Sequence, residues 1–127
     1  IEGLRRGFRD FLLLGCTGGR LDHMQACISV MFYLLNRGSR AAMADGNNWL
    51  ELYMPGRFMV EPRKSWKLSL LPYAGDVFGL TVKNAAYPLE NKTLVMEDPL
   101  GISNEFLEGP VEISFRKGIL MVFLSKD

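Results

Sequence analysis

The residues best suited to chemistry lie together in the nine-residue stretch Gly15–His23, which reads GCTGGRLDH. It holds three glycines, a cation at Arg20, a carboxylate at Asp22 and the only histidine of the chain. Glycine allows a sharp backbone turn and a close approach to a ligand, and a guanidinium matches the geometry of phosphate oxygens. This combination of residue types is typical of a site that binds an anion.

Two predicted elements would position that stretch. The apolar run Phe11–Leu14 predicts a short strand buried on both faces. A helix is predicted over Leu21–Asn36, where Arg37-Gly38 is a stop signal, and its many apolar residues predict burial between layers. Because a helix N-terminus presents free N–H groups and a positive dipole end, the turn before it is suited to phosphate.

Asp22 is unexpected beside a phosphate site, because a carboxylate repels an anion. A divalent cation between the two, or an orienting role for Asp22 toward a nucleophile, would resolve the conflict. Asp22 could equally stabilise only the helix N-terminus, with His23 a surface residue. The stretch is neither a Walker A loop nor a dinucleotide fingerprint, because the Lys-Ser/Thr and G-x-G-x-x-G patterns are absent.

Composition excludes several other classes. A net charge of +1, with 23% charged residues, gives no electrostatic argument for nucleic-acid binding. Two cysteines and one histidine cannot complete an ordinary four-ligand zinc site, and Cys16 and Cys27 are expected to be reduced thiols. The apolar run Ala26–Leu35 is well short of the roughly 20 residues that cross a bilayer. We therefore expect a soluble, cytoplasmic protein without membrane or nucleic-acid partners.

The hydrophobic period changes near Met54-Pro55-Gly56. Before it, strands predicted at Arg40–Ala44 and Trp49–Tyr53 follow the helix, in the order typical of an α/β unit. After it come short strand-like runs separated by Pro and Gly signals: Arg57–Val60, Trp66–Leu71, Val77–Val82, Thr93–Met96, Val111–Phe115 and Ile119–Leu124, the last two joined by a predicted hairpin turn. Their spacing indicates an antiparallel β-sandwich or barrel. We divide the chain into an α/β part, residues 1–54, and an all-β part, residues 55–127.

Three blocks, in order, carry a resemblance to a known family. They are the Gly15–His23 stretch, Tyr87-Pro88-Leu89-Glu90-Asn91, and Gly101-Ile102-Ser103-Asn104-Glu105-Phe106. Together they resemble bacterial-type thiamin pyrophosphokinase, over essentially all of this chain but only the later part of the family's chain. Members of that family carry an additional N-terminal α/β segment whose acidic residues bind magnesium and ATP. The resemblance implies a C-terminal fragment whose residues 55–127 are a thiamin-binding β-sandwich.

The resemblance also implies an activity and its residues. The parent enzyme would transfer pyrophosphate from ATP, with Mg²⁺, to the hydroxyl of thiamin, giving thiamin diphosphate and AMP. Arg20 and Asp22 are the implied catalytic residues, and Asp22 is the candidate metal ligand. The implied phosphate- and nucleotide-binding residues are Thr17, Gly18, Gly19, Arg20 and His23. The implied thiamin-binding residues are Tyr87, against the ligand, and Ser103 and Asn104, against its pyrimidine ring.

Since the family is a homodimer with active sites between subunits, we expect a homodimer with thiamin and ATP as ligands. The chain alone is expected to be inactive, because the main carboxylates for metal and ATP are missing from it. One alternative is a non-catalytic module for thiamin binding or dimerisation. Another is a purely structural β-sandwich in which Tyr87 packs a loop and Ser103-Asn104 is an ordinary turn.

One departure from the family pattern concerns the residues before Tyr87. Bacterial relatives tend to have Gly-Leu-Lys there, whereas this chain has Asn84-Ala85-Ala86. Asparagine is the non-glycine residue that best tolerates a left-handed backbone. Asn84 is therefore predicted to replace glycine in the turn, while alanine at Ala86 removes a polar contact that lysine could make.

Overall fold

The computed structural model describes residues 10–14, 20–98, 101 and 103–126. By their contacts they fall into two units, Ile1–Leu52 and Tyr53–Asp127. That these units act as separate functional domains, with the predicted bounds 1–54 and 55–127, stays a prediction.

The first unit has the strand-helix-strand order that its sequence predicts. Its elements are β1 (Asp10–Leu14), α1 (Leu21–Leu35), β2 (Arg40–Ala44) and β3 (Asn48–Tyr53). β1 pairs in parallel with β2, with Phe11 opposite Ala41, and β2 pairs antiparallel with β3, with Met43 opposite Leu50. A parallel pair needs a long crossover, and α1 is that crossover.

The helix α1 ends as predicted but is less buried than predicted. The Asn36 N–H donates to the Phe32 carbonyl at 3.0 Å, and Gly38 takes a positive φ of 78°, as a helix C-terminus favours. Ile28, Met31 and Leu34 are buried on one face, while Leu21 and Val30 are exposed. The prediction of burial between layers is therefore wrong for the described part of α1: its apolar residues outnumber the positions on its packed face.

Two smaller predictions for this unit are also wrong. Leu12 and Leu14 are exposed, so β1 is not buried on both of its faces. Alternate residues of a strand point to opposite faces, and only one of those faces is covered here. Cys27 is disulfide-bonded rather than reduced.

The second unit is an antiparallel β structure, and the predicted β-sandwich fold is confirmed by its match to solved structures reported below. Its strands are β4 (Gly56–Val60), β5 (Lys67–Lys83), β6 (Leu89–Leu94), β7 (Asn104–Glu105), β8 (Val111–Phe115) and β9 (Lys117–Ser125). β5 pairs with β6, β7, β8 and β9, and β4 pairs with β8. Leucines and valines of these strands, such as Leu68, Leu80 and Val111, are fully buried and form its core.

The 17-residue strand β5 organises this unit and corrects two predictions. The runs predicted as two strands are one strand, because a register shift between Tyr73 and Phe78 absorbs the turn signals at Ala74 and Gly75, which both have positive φ. Such bulges let a strand bend without ending. In the described pairings β8 and β9 both join β5 instead of forming the predicted hairpin with each other, and β6 lies a few residues before the predicted run 93–96.

Candidate functional site

Asn104 brings the predicted thiamin-binding residues together in the second unit. It lies in β7, is only 6% exposed, and its carboxamide faces the backbone of Tyr87. The Asn104 Oδ1 accepts the Tyr87 N–H at 2.9 Å and the Glu105 N–H at 2.9 Å, and Nδ2 donates to the Tyr87 carbonyl at 2.8 Å. One buried side chain thus holds both backbone polar groups of Tyr87.

The side chain of Tyr87 is left accessible by this arrangement. It is 61% exposed, although its backbone is fixed by Asn104. An aromatic ring with a fixed origin and a free face can stack on a flat ligand and attract a cationic one.

Ser103 lies beside Asn104 on a segment that is attached to β5. Its N–H donates to Ser69 Oγ at 2.9 Å, and its φ is 60°, while the residue itself is exposed. Two residues earlier, the Gly101 carbonyl accepts the Leu70 N–H at 2.9 Å. A Cβ on Gly101 would lie 2.4 Å from the Leu70 carbonyl oxygen, so this close approach requires glycine.

The segment that carries Tyr87 begins at Asn84, whose φ is 64°. The predicted left-handed conformation is therefore confirmed. The Asn84 Nδ2 donates to the Glu108 carbonyl at 2.8 Å and to the Pro110 carbonyl at 3.0 Å. Further along the segment, the Ala86 N–H donates to the Glu105 carbonyl at 3.0 Å. Sequence reasoning predicted the backbone of Asn84 but missed these side-chain contacts.

In the first unit the predicted phosphate-site residues are only partly described. Thr17, Gly18 and Gly19 lie outside the described residues, whereas Arg20, Asp22 and His23 lie at the start of α1. The Arg20 guanidinium grips Asp22 with two contacts, Nε to Oδ1 at 3.1 Å and a terminal nitrogen to Oδ2 at 2.6 Å. The His23 N–H also donates to Asp22 Oδ1, at 2.9 Å.

These contacts determine the charge state of Asp22. The hydrogen bonds from Arg20, and then the one from the His23 backbone, lower the pKa of the Asp22 carboxyl below its ordinary value, because they stabilise its charged form. Asp22 is thus ionised at neutral pH, and both of its oxygens are engaged. Arg20 and Asp22 are both well exposed, so the pair is open to solvent and to ligands.

The described residues do not by themselves form a magnesium site. Within residues 10–14, 20–98, 101 and 103–126, no group of three or more His, Cys, Asp or Glu side chains could hold a metal ion. The one candidate metal ligand, Asp22, has both carboxylate oxygens in contact with Arg20. The described residues also include no helix long and apolar enough to cross a membrane.

A cavity that sequence reasoning did not assign lies next to β7. It has a volume of about 590 Å³ and is lined by residues 62–67 and 105–109. Inside its lining, the Arg63 guanidinium lies 4.9 Å from the centre of the Trp66 ring, and Lys67 pairs with Glu105 at 3.3 Å. Glu105 follows Asn104 in β7. This cavity therefore shares β7 with the group formed by Tyr87, Ser103 and Asn104, which we call the Tyr87 cluster.

Comparisons with known proteins identify a family and a relative that the sequence of this chain resembles. A family model described as thiamin pyrophosphokinase, vitamin B1 binding domain, matches residues 59–120, which include Tyr87, Ser103 and Asn104. A curated thiamine pyrophosphokinase of Bacillus subtilis (strain 168) is 30% identical over 116 residues, covering 91% of this chain and 54% of the relative.

Solved structures agree in fold with this chain. The crystal structure of thiamine pyrophosphokinase from Bacillus subtilis has a TM-score of 0.95 at 28% identity, covering 99% of this chain and 60% of that one. Thiamin pyrophosphokinase from Geobacillus thermodenitrificans has a TM-score of 0.88 at 30% identity, covering 99% and 58%. This chain therefore spans a little over half the length of these relatives.

Proposed function

From a resemblance to thiamin pyrophosphokinases that is confirmed in both sequence and fold, we propose that this chain is the thiamin-binding part of such an enzyme. The enzyme would transfer pyrophosphate from ATP to the hydroxyl of thiamin, giving thiamin diphosphate and AMP. The observation that carries the proposal is Tyr87, an exposed ring whose backbone Asn104 holds, within the residues that match the vitamin B1 binding domain.

The Tyr87 cluster suits the chemistry of thiamin, which has two aromatic rings, one of them cationic. In the proposal, the Tyr87 ring lies against thiamin through π-stacking or cation–π attraction. The exposed Ser103 hydroxyl would bond a polar edge of the pyrimidine ring. Asn104 donates one Nδ2 hydrogen to Tyr87, so one further hydrogen is available for the same ring.

The Arg20 and Asp22 pair is proposed to act on the phosphates. The thiamin hydroxyl oxygen would form a bond to the β-phosphorus of ATP as the bond from that phosphorus to the α–β bridging oxygen breaks, releasing AMP while the hydroxyl loses its proton. Such transfers depend on positioning and charge neutralisation, and Arg20 would neutralise phosphate. Because Asp22 accepts two hydrogen bonds from the Arg20 guanidinium, we assign it the role of orienting Arg20.

Other parts of the function also belong to this proposal. Thr17, Gly18, Gly19 and His23 would bind phosphate and nucleotide. Mg²⁺ would accompany ATP and neutralise its charge, although the described residues contain no group of three or more His, Cys, Asp or Glu side chains that could hold it. A homodimer, a cytoplasmic location and the inactivity of the 127 residues alone stay predictions.

Calorimetric titration of this chain with thiamin tests the binding part. Replacing Tyr87 by alanine should weaken binding about 5- to 30-fold, the size of a partly desolvated cation–π contact, whereas Tyr87→Phe keeps the ring and should stay within about 3-fold of the unchanged chain. Tyr33→Ala is the matched control, since Tyr33 lies in α1 beneath Arg37. Absence of thiamin binding, or an unchanged affinity in Tyr87→Ala, would refute the proposal.

A non-catalytic thiamin-binding module is the second candidate, because the matched family model describes the binding domain alone. Arg20→Ala and Asp22→Ala in the complete protein separate the two candidates through the rate of AMP formation. A loss of about 100-fold in kcat/KM supports the role in transfer. Activity within a few-fold in both variants would show that the pair is scaffold.

A further inference from the structure

We infer that Asn84 is a positioning residue, which sets the affinity for thiamin by anchoring the segment that carries Tyr87 to the loop between β7 and β8. The inference rests on the proposed function for its ligand. Asn84 directly follows the last residue of β5 and lies three residues before Tyr87.

The anchor uses the full donor capacity of one amide. A carboxamide nitrogen has two hydrogens, and the Asn84 Nδ2 contacts two carbonyl oxygens, those of Glu108 at 2.8 Å and Pro110 at 3.0 Å. Gly109, between them, has a φ of 86°, and a Cβ there would lie 3.5 Å from Asn84 Nδ2. The loop therefore wraps around the Asn84 amide.

This contact adds a side-chain anchor at the near end of the Tyr87 segment, directly after the pairing of Lys83 with Glu112. At its far end Asn104 holds the backbone of Tyr87, and in its middle Ala85 forms a bridge with Phe106. Among the side chains of the described residues, Asn84 joins the near end to residues 108–110 with two hydrogen bonds. Loosening that end would widen the range of positions of the Tyr87 ring, and a ligand would then have to order it on binding.

Asn84 supplies more than the backbone conformation that glycine would supply. A glycine at this position could adopt a φ of 64° but could not donate to the two carbonyls. Asn84→Gly therefore removes the anchor while it keeps the turn. Asn84→Asp keeps the size and the tolerance of positive φ but faces two carbonyl oxygens with a carboxylate, which should separate the two segments.

The experiment combines two readouts on this chain: the exchange rate of the Tyr87 amide proton by NMR, and the thiamin dissociation constant by calorimetry. In Asn84→Gly we expect exchange about 10-fold faster and binding about 3- to 10-fold weaker, as the loss of one or two net hydrogen bonds implies. Asn84→Asp should change both at least as much. In the complete enzyme the KM for thiamin should rise while kcat stays within about 2-fold, because Asn84 touches no reacting atom.

Asn91→Gly is the matched control. Asn91 is exposed and also has a positive φ, 48°. Its backbone N–H donates to Thr81 Oγ1, a contact that glycine keeps. Both readouts should stay within about 2-fold in this variant. If Asn91→Gly speeds Tyr87 amide exchange as much as Asn84→Gly does, the inference is overturned. The faster exchange would then follow from any replacement of a positive-φ asparagine by glycine.

The outcomes separate the anchor from the proposed function. An unchanged Tyr87 exchange rate in both Asn84 variants overturns the anchor, whatever happens to thiamin. Faster exchange with unchanged thiamin affinity overturns the role in binding. If the unchanged chain does not bind thiamin, the proposed function and the binding role both fail, while the exchange rate still decides whether Asn84 anchors the segment.

Discussion

Replacing Asn104 by alanine is expected to destabilise the second unit strongly, because this one carboxamide makes three hydrogen bonds at a buried position. They are the bonds from the Tyr87 and Glu105 N–H groups and the bond to the Tyr87 carbonyl. With a net value of about 1 kcal/mol for each bond, the loss is about 3 kcal/mol of unfolding free energy. This is a large part of the roughly 5 to 15 kcal/mol that stabilises an ordinary domain.

Urea unfolding followed by tryptophan fluorescence measures this loss. The chain has two tryptophans, so a Trp49→Phe background leaves Trp66, in the second unit, as the reporter. Asn104→Asp keeps both accepted bonds but places a carboxylate oxygen against the Tyr87 carbonyl, so at neutral pH it should also destabilise the unit, through the lost donation together with the repulsion between the two oxygens. Ser103→Ala is the matched control, because its backbone N–H still donates to Ser69, and it should change stability by less than about 0.5 kcal/mol.

Two results would refute this reasoning. The first is a loss below about 0.5 kcal/mol in Asn104→Ala, which would mean that water replaces the three bonds at no cost. The second is an equal loss in Ser103→Ala, which would mean that the segment responds to any substitution rather than to the amide of Asn104.

Two further predictions concern Asp22 and Gly101. Arg20→Gln should raise the pKa of Asp22 toward its ordinary value in an NMR titration of the carboxyl carbon, and an unmoved pKa would rule out the ion pair. Arg20 lowers the folded-state pKa of Asp22. The stability that the pair contributes is therefore present at neutral pH and is lost as the pH falls through that pKa. Gly101→Ala would place a Cβ 2.4 Å from the Leu70 carbonyl oxygen and should cost about 1 to 3 kcal/mol in urea unfolding. Its control is Gly46→Ala, where a Cβ meets nothing within 4 Å, and equal losses in both variants would contradict the packing argument.

Local patterns in the sequence predicted the first unit well, because its elements are specified by short-range signals. The strand at residues 11–14 and the helix that ends near Asn36 lie within a residue or so of their observed bounds. Burial was overestimated at Leu12, Leu14 and Val30, since apolar composition says which residues can be buried but not which faces are covered.

The strand β5 shows why the second unit was harder to predict. Pro72, Ala74 and Gly75 give the turn signals that normally end a strand, yet β5 continues through them because its two halves pair with different partners. Lys67–Tyr73 pair with β9, and Thr81–Lys83 pair with β8. Whether a turn signal ends a strand or bends it depends on pairings between distant residues, from Lys83 with Glu112 to Lys67 with Ser125, which local patterns do not contain.

In the candidate site, too, local features could be predicted from the sequence and long-range contacts could not. The conformation of Asn84 was predictable from its own preference for positive φ, which the structure confirms. Its contacts to Glu108 and Pro110, and those of Asn104 to Tyr87, join residues 17 to 26 positions apart. They depend on long-range pairings, Lys83 of β5 with Glu112 of β8 and Ala85 with Phe106, so no motif could have indicated them.

Asn84 and Asn104 bond the protein backbone, whereas a binding motif suggests that asparagine bonds the ligand. A buried amide that binds a ligand must be left partly unsatisfied without the ligand, at a cost in stability. The buried Asn104 avoids most of that cost by bonding the backbone of Tyr87, while the exposed Asn84 bonds the loop at residues 108–110. Rigidity of the segment then lowers the ordering cost of binding, while the exposed Tyr87 ring and Ser103 hydroxyl remain to contact the ligand. Substitutions at Asn84 should therefore act on thiamin affinity through the mobility of Tyr87, and substitutions at Asn104 through that mobility and through its proposed contact with the ligand. Tyr87→Ala should act on affinity without loosening the segment.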